Sequence, residues 1–543
     1  MATSPSRGGL FGRVKPLDAI LATAEKKGLH RSLGAVQLTL FGVGCIIGTG
    51  IFVLTSVGAQ KAGPGLMISF IIAGAVCVVA ALCYAEIASM VPVSGSAYTY
   101  SYAVQGELLA WTVGWALLLE YAVGASAVSV GWSNYFTNSV LQASMGIDLP
   151  AWIKTGPVIF GGEPGGLINL PAAMIALLVT WLLVIGTTES ARVNAVLVAI
   201  KVTALVVFIA LTIPAIEGDN FSPFMPGGVF GGFGSGVGVL GAAATMFFAY
   251  IGFDAVSTAA EETKNPQRNV PIGLIGSLAI CTIFYILVTA GAIGAAGGAP
   301  IMGADGAPLS TGSEALARAC ALPENAQALV CSGEPLAHVL RTIGFGTIGN
   351  MLGYAAFIAL PSVVLILIFG LTRICFVMGR DGLLPERLAT VHPKWKTPHV
   401  VTIITGSVIA VLAALFPVGQ LADIANAGTL YAFMMVAIAV WTLRRRDPDR
   451  VRPFRVPALW LVAPLTIAGC LFLFLNLPTE ALIGLPLWGA IGLVVYFAYG
   501  YRKSHLGLGL IEVHEPEIHD IDPSIPGLDE RDPLDPPRKP PGL

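Results

Sequence analysis

Charge is what this sequence has least of. Aspartate, glutamate, lysine and arginine together make up 11% of its 543 residues, against 55% hydrophobic residues and a mean hydropathy of +0.78. Water-soluble domains carry about 25% charged residues, so the composition excludes one and points to a polytopic helical membrane protein. The formal net charge of −2 gives a polyanion nothing to hold, and no nucleic-acid partner is expected. Histidine is also scarce. None of the seven lies in the interior of an apolar run, although His399 sits at the edge of one, and neither His-Glu-x-x-His nor Gly-x-Ser-x-Gly occurs. A membrane-embedded enzyme would lack its catalytic set, so no enzyme and no metal site are expected. No cleavable leader is expected either, since a polar, basic head runs straight into a full-length apolar run.

Hydrophobic length is what the chain has instead. Apolar runs predict twelve transmembrane helices at about 34–60, 65–91, 108–136, 168–187, 191–215, 236–261, 271–296, 345–379, 399–416, 420–443, 456–476 and 482–501. An even number places both termini on one side. Assigning the head, the tail and the even-numbered connections to the cytosol puts 25 of the 30 lysines and arginines there. The opposite side keeps Lys61, Lys154, Arg318 and Arg341, and Lys201 stays within a span. That asymmetry predicts cytosolic termini in the cytoplasmic (inner) membrane.

The longest external connection, about 297–344, holds Cys320 and Cys331 and a short helical stretch between Glu314 and Cys320. On an oxidising side these two cysteines could form a disulfide; otherwise they are free thiols. The other six, Cys45, Cys77, Cys83, Cys281, Cys375 and Cys470, lie in apolar runs and read as packing residues. The acidic, proline-rich tail 512–543 cannot bury a core and reads as disordered.

Gly42–Phe52 stands out within the first span, with four glycines in nine residues. Each glycine costs a helix about 1 kcal/mol relative to alanine. Unpaired backbone survives in hydrocarbon only where it lines a cavity or meets a ligand. A break there exposes carbonyls at one half-helix end and amides at the other, which suit an ammonium and a carboxylate respectively. The alternative is that these glycines only let a neighbouring helix pack close. A second interruption appears in the sixth span, Phe248–Asp254, where Gly252 and a carboxylate break an apolar helix. Two breaks opening successive five-span sets are the sign of inverted repeats, here about 34–215 and 236–443, followed by two trailing helices at about 456–501. Residues 1–33 are expected to form a separate cytosolic head, and 34–501 the twelve-helix domain.

Several segments make the chain resemble the amino acid–polyamine–organocation superfamily, with a closer likeness to bacterial members of its cationic amino acid transporter family. They are Gly48–Phe52, Tyr84–Ser89, Pro92–Tyr98, Phe253–Ser257, Glu261–Arg268 and Arg380–Pro385. The resemblance implies an all-α, LeuT-like 5+5 inverted repeat with helices 1 and 6 broken at mid-membrane, and alternating access as helices 1, 2, 6 and 7 rock against 3, 4, 8 and 9. It implies a substrate site at Ile46, Gly48, Thr49, Gly50, Phe248, Ala249, Ile251 and Asp254. Amides around Gly48, Thr49 and Gly50 would take a carboxylate, carbonyls of Ile46, Phe248 and Ile251 an ammonium, and the Phe248 ring would fold over the ligand as a gate.

Lys201 lies about ten residues into the fifth span, where a lysine costs about 2.5–3.5 kcal/mol or more. Snorkelling to the surface is awkward from that depth. The resemblance places it where sodium-coupled relatives hold their cation, so a protonated amine would stand in for sodium, with Ser362 as its neighbour. Glu120, midway along the third span, is open to three readings: neutral and hydrogen-bonded, part of the proton route, or facing a basic side chain. Asp254, just after the second break, either bonds freed backbone amides or approaches the substrate pocket. Glu86, Glu261, Glu262, Lys264 and Arg268 read as cytosolic-face contacts.

The expected function is secondary active, proton-coupled uptake of an amino acid, with no cofactor beyond the proton and no sodium. An exchanger on the same fold, or a non-transporting sensor, is left open. So are the amino acid carried, the oligomeric state and any small accessory membrane subunit.

Overall fold

The computed structural model describes residues 13–14, 33–90, 96–162, 164–186, 191–254, 256, 263–304, 306–325 and 327–509. Most of the predicted head, the whole tail 512–543, Glu261 and Glu262 lie outside the described residues. Among the described residues the chain is helical and without strands, with only two isolated bridges, Leu33 to Thr263 and Met302 to Pro308. Among the described residues, seven helices are long and apolar enough to cross a membrane, and five shorter apolar helices, of 10–17 residues, accompany them.

We label the helices used below in chain order. The first predicted span divides into α1, Ala35–Ile46, a short turn Thr49–Phe52, and α2, Leu54–Ala62. A turn at Gly63–Gly65 then leads into α3, Leu66–Met90. The next two are α4, Glu107–Tyr135, and α5, Leu170–Ile185. In α5 the Asn169 side chain accepts from the Ala172 amide and Pro171 fills the first turn, while Gly186 closes the far end at φ 85°. There follow α6, Ala191–Thr212, α7, Gly238–Met246, and α8, Pro266–Ala296. The last starts five residues before the predicted span, because Pro266 occupies a first-turn position where its missing N–H costs nothing. The chain continues through α9, Pro335–Thr342, α10, Gly346–Arg380, α11, His399–Leu415, and α12, Val418–Arg446. It closes with α13, Leu459–Leu475, and α14, Thr479–Val495.

Helix α4 is the post around which the others stand, packing on α5, α10, α11 and α12. The most apolar windows of α4 and α12 are 72% buried, against 17% for the window that includes α14, so α14 is peripheral. It is fastened to α4 by stacked indoles: Trp111 on Trp115 and Trp115 on Trp488, with Trp111 Nε1 donating to the Gly492 carbonyl at 2.9 Å. Arg13, from the predicted head, is tied to the same end of the bundle. It donates to Glu107 Oε1 at 3.2 Å and to the Tyr501 carbonyl at 3.1 Å, and its guanidinium lies 4.3 Å from the Tyr501 ring centre.

One expectation about placement is overturned. Lys61 is no connection residue: α2 carries it inside the bundle, 2% exposed, where it pairs with Asp423 of α12. A long apolar stem and a buried carboxylate let it sit where the sequence suggested a loop. In the connection after α8, Glu314–Cys320 is helical, and Cys320 and Cys331 are joined by a disulfide with their Cα atoms 5.4 Å apart. Arg341 pairs with the buried Glu334, which also accepts from Ser139.

Candidate functional site

The first helix stops because its own glycines stop it. Ile47 donates to the Val43 carbonyl at 2.9 Å, Gly48 then turns extended (φ −156°, ψ −144°), and helical hydrogen bonding resumes at Thr49. A helix restarting at Thr49 leaves its first amides, those of Thr49 and Gly50, without intrahelical acceptors. Thr49 Oγ1 is buried and, among the described residues, has no hydrogen-bond partner. Free amides and an unspent hydroxyl at one point suit an anionic group.

The sixth span breaks opposite. Helix α7 ends at Met246, tightens into a 3₁₀ turn over Phe247–Tyr250, and gives way at Ile251 to a non-helical turn through Asp254. Ala255 and residues 257–262 lie outside the described residues. Two glycines let the breaks meet. A side chain at Gly50 would put its Cβ 2.3 Å from Ala249 Cα. Gly252 takes φ 104°, and a Cβ there would stand 3.0 Å from the Cys45 carbonyl oxygen. The first position excludes any Cβ by contact, and the second also by backbone conformation.

The carbonyls released from α1 are shared out. Gly44 O accepts from Lys201 Nζ at 3.3 Å, and Ile46 O lies 3.0 Å from the Tyr285 hydroxyl. The same hydroxyl is 2.7 Å from Ala249 O, so Tyr285 of α8 bridges the two breaks. A hydroxyl has one proton, which leaves one of the two carbonyls with its lone pairs available at any moment. Phe248 O accepts from the Ile251 amide at 3.1 Å. The Phe248 ring, 6% exposed, faces α4 at Gly124, where an added Cβ would be 3.9 Å from Phe248 Cε2 and 3.8 Å from Leu367 Cδ1.

Lys201 is 2% exposed and reaches the first break because α6 lies hard against α1. Gly44 makes this possible, since a Cβ there would be 2.3 Å from Val198 Cγ2. Helix α10 closes the other side at Val363, 3.4 Å from where a Cβ on Gly48 would sit. The neighbouring Ser362 donates its hydroxyl to the Ala359 carbonyl at 2.8 Å. Asp254 is buried and accepts from the Tyr121 hydroxyl at 3.2 Å. Glu120, one residue earlier on α4, is also buried and interacts electrostatically with Asp254, and among the described residues one of its oxygens, Oε2, has no hydrogen-bond partner. Cys45 lies within electrostatic reach of both Lys201 and Asp254. The structure thus gathers Ile46, Gly48, Thr49, Gly50, Phe248, Ala249, Ile251 and Asp254 about the two breaks, with Lys201 behind the first and Glu120 beyond the second. Ser362 stands one residue from the helix face that meets Gly48.

At the face of the bundle where α12 ends, Glu86 of α3 is fully buried. Arg444 pairs with it, Arg452 Nε lies 3.5 Å from it, and the Val456 amide donates to it at 2.7 Å. Tyr285 and Tyr121 were not singled out in the sequence, where a tyrosine in an apolar run carries no mark of its partner.

A family model for amino acid permeases matches residues 33–497. A branched-chain amino acid permease of Bacillus subtilis is 43% identical over 500 residues, covering 92% of this chain and 99% of the relative. A methylthioribose transporter of the same organism is 42% identical, over 91% of this chain and 98% of its own. Cationic amino acid transporter 9, chloroplastic, of Arabidopsis thaliana is 36% identical, over 81% and 72% respectively.

Proposed function

Because the chain belongs to the amino acid permease family, we propose that it is a proton-coupled carrier taking up an amino acid by alternating access. It is a transporter, not an enzyme, and a multi-pass membrane protein. The observation that carries the finer reading is the meeting of two interrupted helices, with free amides and the Thr49 hydroxyl on one side and the Ile46 and Ala249 carbonyls on the other. A zwitterion's carboxylate meets the first set, and its ammonium displaces the Tyr285 hydroxyl from one carbonyl of the second. The side chain then meets an apolar wall, where Phe248 and Leu367 pack about Gly124, and such a wall favours a neutral aliphatic amino acid. The branched-chain permeases among the relatives support that choice. Phe248 closes over the ligand.

In this reading the seven long helices and five shorter ones make twelve crossings, two inverted five-helix repeats at about 34–215 and 236–443 with two trailing helices. Both termini face the cytosol, in line with 25 of 30 basic residues lying on that side. The Lys201 ammonium occupies the first break as a fixed cation and exchanges its proton as the carrier changes face, so no sodium is required. Glu120 and Asp254 lie on the proton's way.

Uptake of labelled leucine into proteoliposomes under an inward pH gradient tests this. Saturable, pH-driven accumulation is expected, abolished in Lys201→Ala. Full pH-dependent uptake in Lys201→Ala overturns the coupling role, and counterflow without net uptake overturns symport. A competition panel of the twenty amino acids fixes the side-chain class.

A further inference from the structure

Away from the substrate site, the segment joining α12 to α13 borders an open cavity of about 620 Å³ lined by Trp441, Arg444, Arg445, Arg455, Val456 and Trp460, among others. That volume falls within the range of small-ligand sites. Arg444 is already satisfied, giving its guanidinium to Glu86 and to the Val456 carbonyl at 3.1 Å. Arg445 and Arg455 differ. Both are exposed, and among the described residues neither has a carboxylate partner. Arg445 stands over the Trp441 ring, 5.1 Å from its centre. Ala458 takes a left-handed φ of 46°, which turns the chain into α13 with Arg455 and Trp460 both lining the cavity. Trp460 is 74% exposed, and Leu461 and Leu465, one turn apart on α13, are exposed beyond it. Unpaired guanidiniums beside an exposed indole, at the mouth of a helix whose next turns are apolar, are what a membrane interface requires.

We propose that this cavity binds the headgroup of an anionic phospholipid. The phosphate lies between the Arg445 and Arg455 guanidiniums, and an acyl chain runs along Trp460, Leu461 and Leu465. Guanidinium meets phosphate through paired N–H donors, and basic pockets beside membrane helices select anionic headgroups in this way. An ion from solution would use only the arginines and would leave the exposed indole and leucines unexplained.

The test is phosphatidylglycerol binding to the full-length protein in phosphatidylcholine nanodiscs, read by native mass spectrometry of retained lipid and by the thermal midpoint. Phosphatidylglycerol should be retained selectively and should raise the midpoint. Each basic residue near an anionic membrane contributes about 1 kcal/mol, or about fivefold in affinity, so Arg445→Gln/Arg455→Gln should weaken binding about thirtyfold. A control pair, Arg387→Gln/Lys394→Gln, removes the same charge from exposed positions in the segment between α10 and α11 and should leave binding unchanged. Equal losses in the two double variants would reduce the effect to general surface charge and overturn the site. So would equal retention of phosphatidylcholine, or the same midpoint shift from soluble glycerol phosphate in detergent. Should the double variant fail to fold, the single variants Arg445→Gln and Arg455→Gln, at about fivefold each, carry the same comparison.

Discussion

Lys61 and Asp423 form an ion pair 2.8 Å long inside the bundle, at 2% and 4% exposure. Thr245 closes the triangle, accepting from Lys61 Nζ at 2.5 Å and donating to Asp423 Oδ1 at 2.5 Å. The triad joins α2, α7 and α12, two of which continue into the helix breaks, so it fixes how those breaks are presented to each other.

Removing one member of that pair leaves a buried charge without its partner, which costs about 3–5 kcal/mol. Asp423→Asn or Lys61→Met should therefore lower the thermal midpoint in detergent sharply. The double variant Lys61→Met/Asp423→Leu should recover most of the loss, because two apolar side chains leave no charge to solvate. A double variant as unstable as the worse single one would show that the pair's value lies in something other than mutual neutralisation.

Tyr285→Phe removes the hydroxyl shared by the Ile46 and Ala249 carbonyls. In the empty protein both acceptors are then left buried and unmet, at a cost of about 1–3 kcal/mol. A bound ammonium supplies the missing donor. The variant should melt lower than the parent without substrate, and saturating substrate should raise its midpoint by more than it raises the parent's. A smaller ligand-induced shift would place the ammonium elsewhere.

The disulfide between Cys320 and Cys331 closes a short loop in the connection after α8, and its turn Leu329–Cys331 packs on α2. Cys320→Ser/Cys331→Ser should cost about 2–4 kcal/mol in the stability of that loop, seen as faster proteolysis there. Intact mass before and after reduction, with free thiols blocked, checks the bond itself.

What was legible in the sequence followed from backbone and solvent. Apolar length marked the helices to within a few residues, and the glycines around Gly48 and at Gly252 marked the interruptions, because so many in one apolar span weaken the helix there. What depended on a distant partner was hidden. Lys61 read as a loop cation because Asp423 lies 362 positions away, and nothing in α8 marked Tyr285 as the group spanning 239 positions to Ile46. Glu86 was read as a contact near one end of its helix, but not as the anchor of Arg444 and Arg452.

The approach of one break to the other also yields the sharpest prediction. At Gly50 a single added carbon would lie 2.3 Å from Ala249 Cα, a backbone atom with no rotamer by which to retreat. Gly50→Ala must therefore push the two breaks apart, and uptake should fall at least tenfold. Gly252→Ala meets the Cys45 carbonyl at 3.0 Å and must also hold alanine at φ 104°, a strain of about 1–3 kcal/mol, so it should be comparably damaging. Gly484 supplies the contrast: it lies within α14, nothing stands within 4 Å of its would-be Cβ, and alanine there should gain about 1 kcal/mol of helix stability. Uptake and thermal midpoint measured on the three variants separate the explanations. If Gly50→Ala transports as well as Gly484→Ala, the two breaks do not need to touch, and the glycines around Gly48 serve only to let neighbouring helices pack.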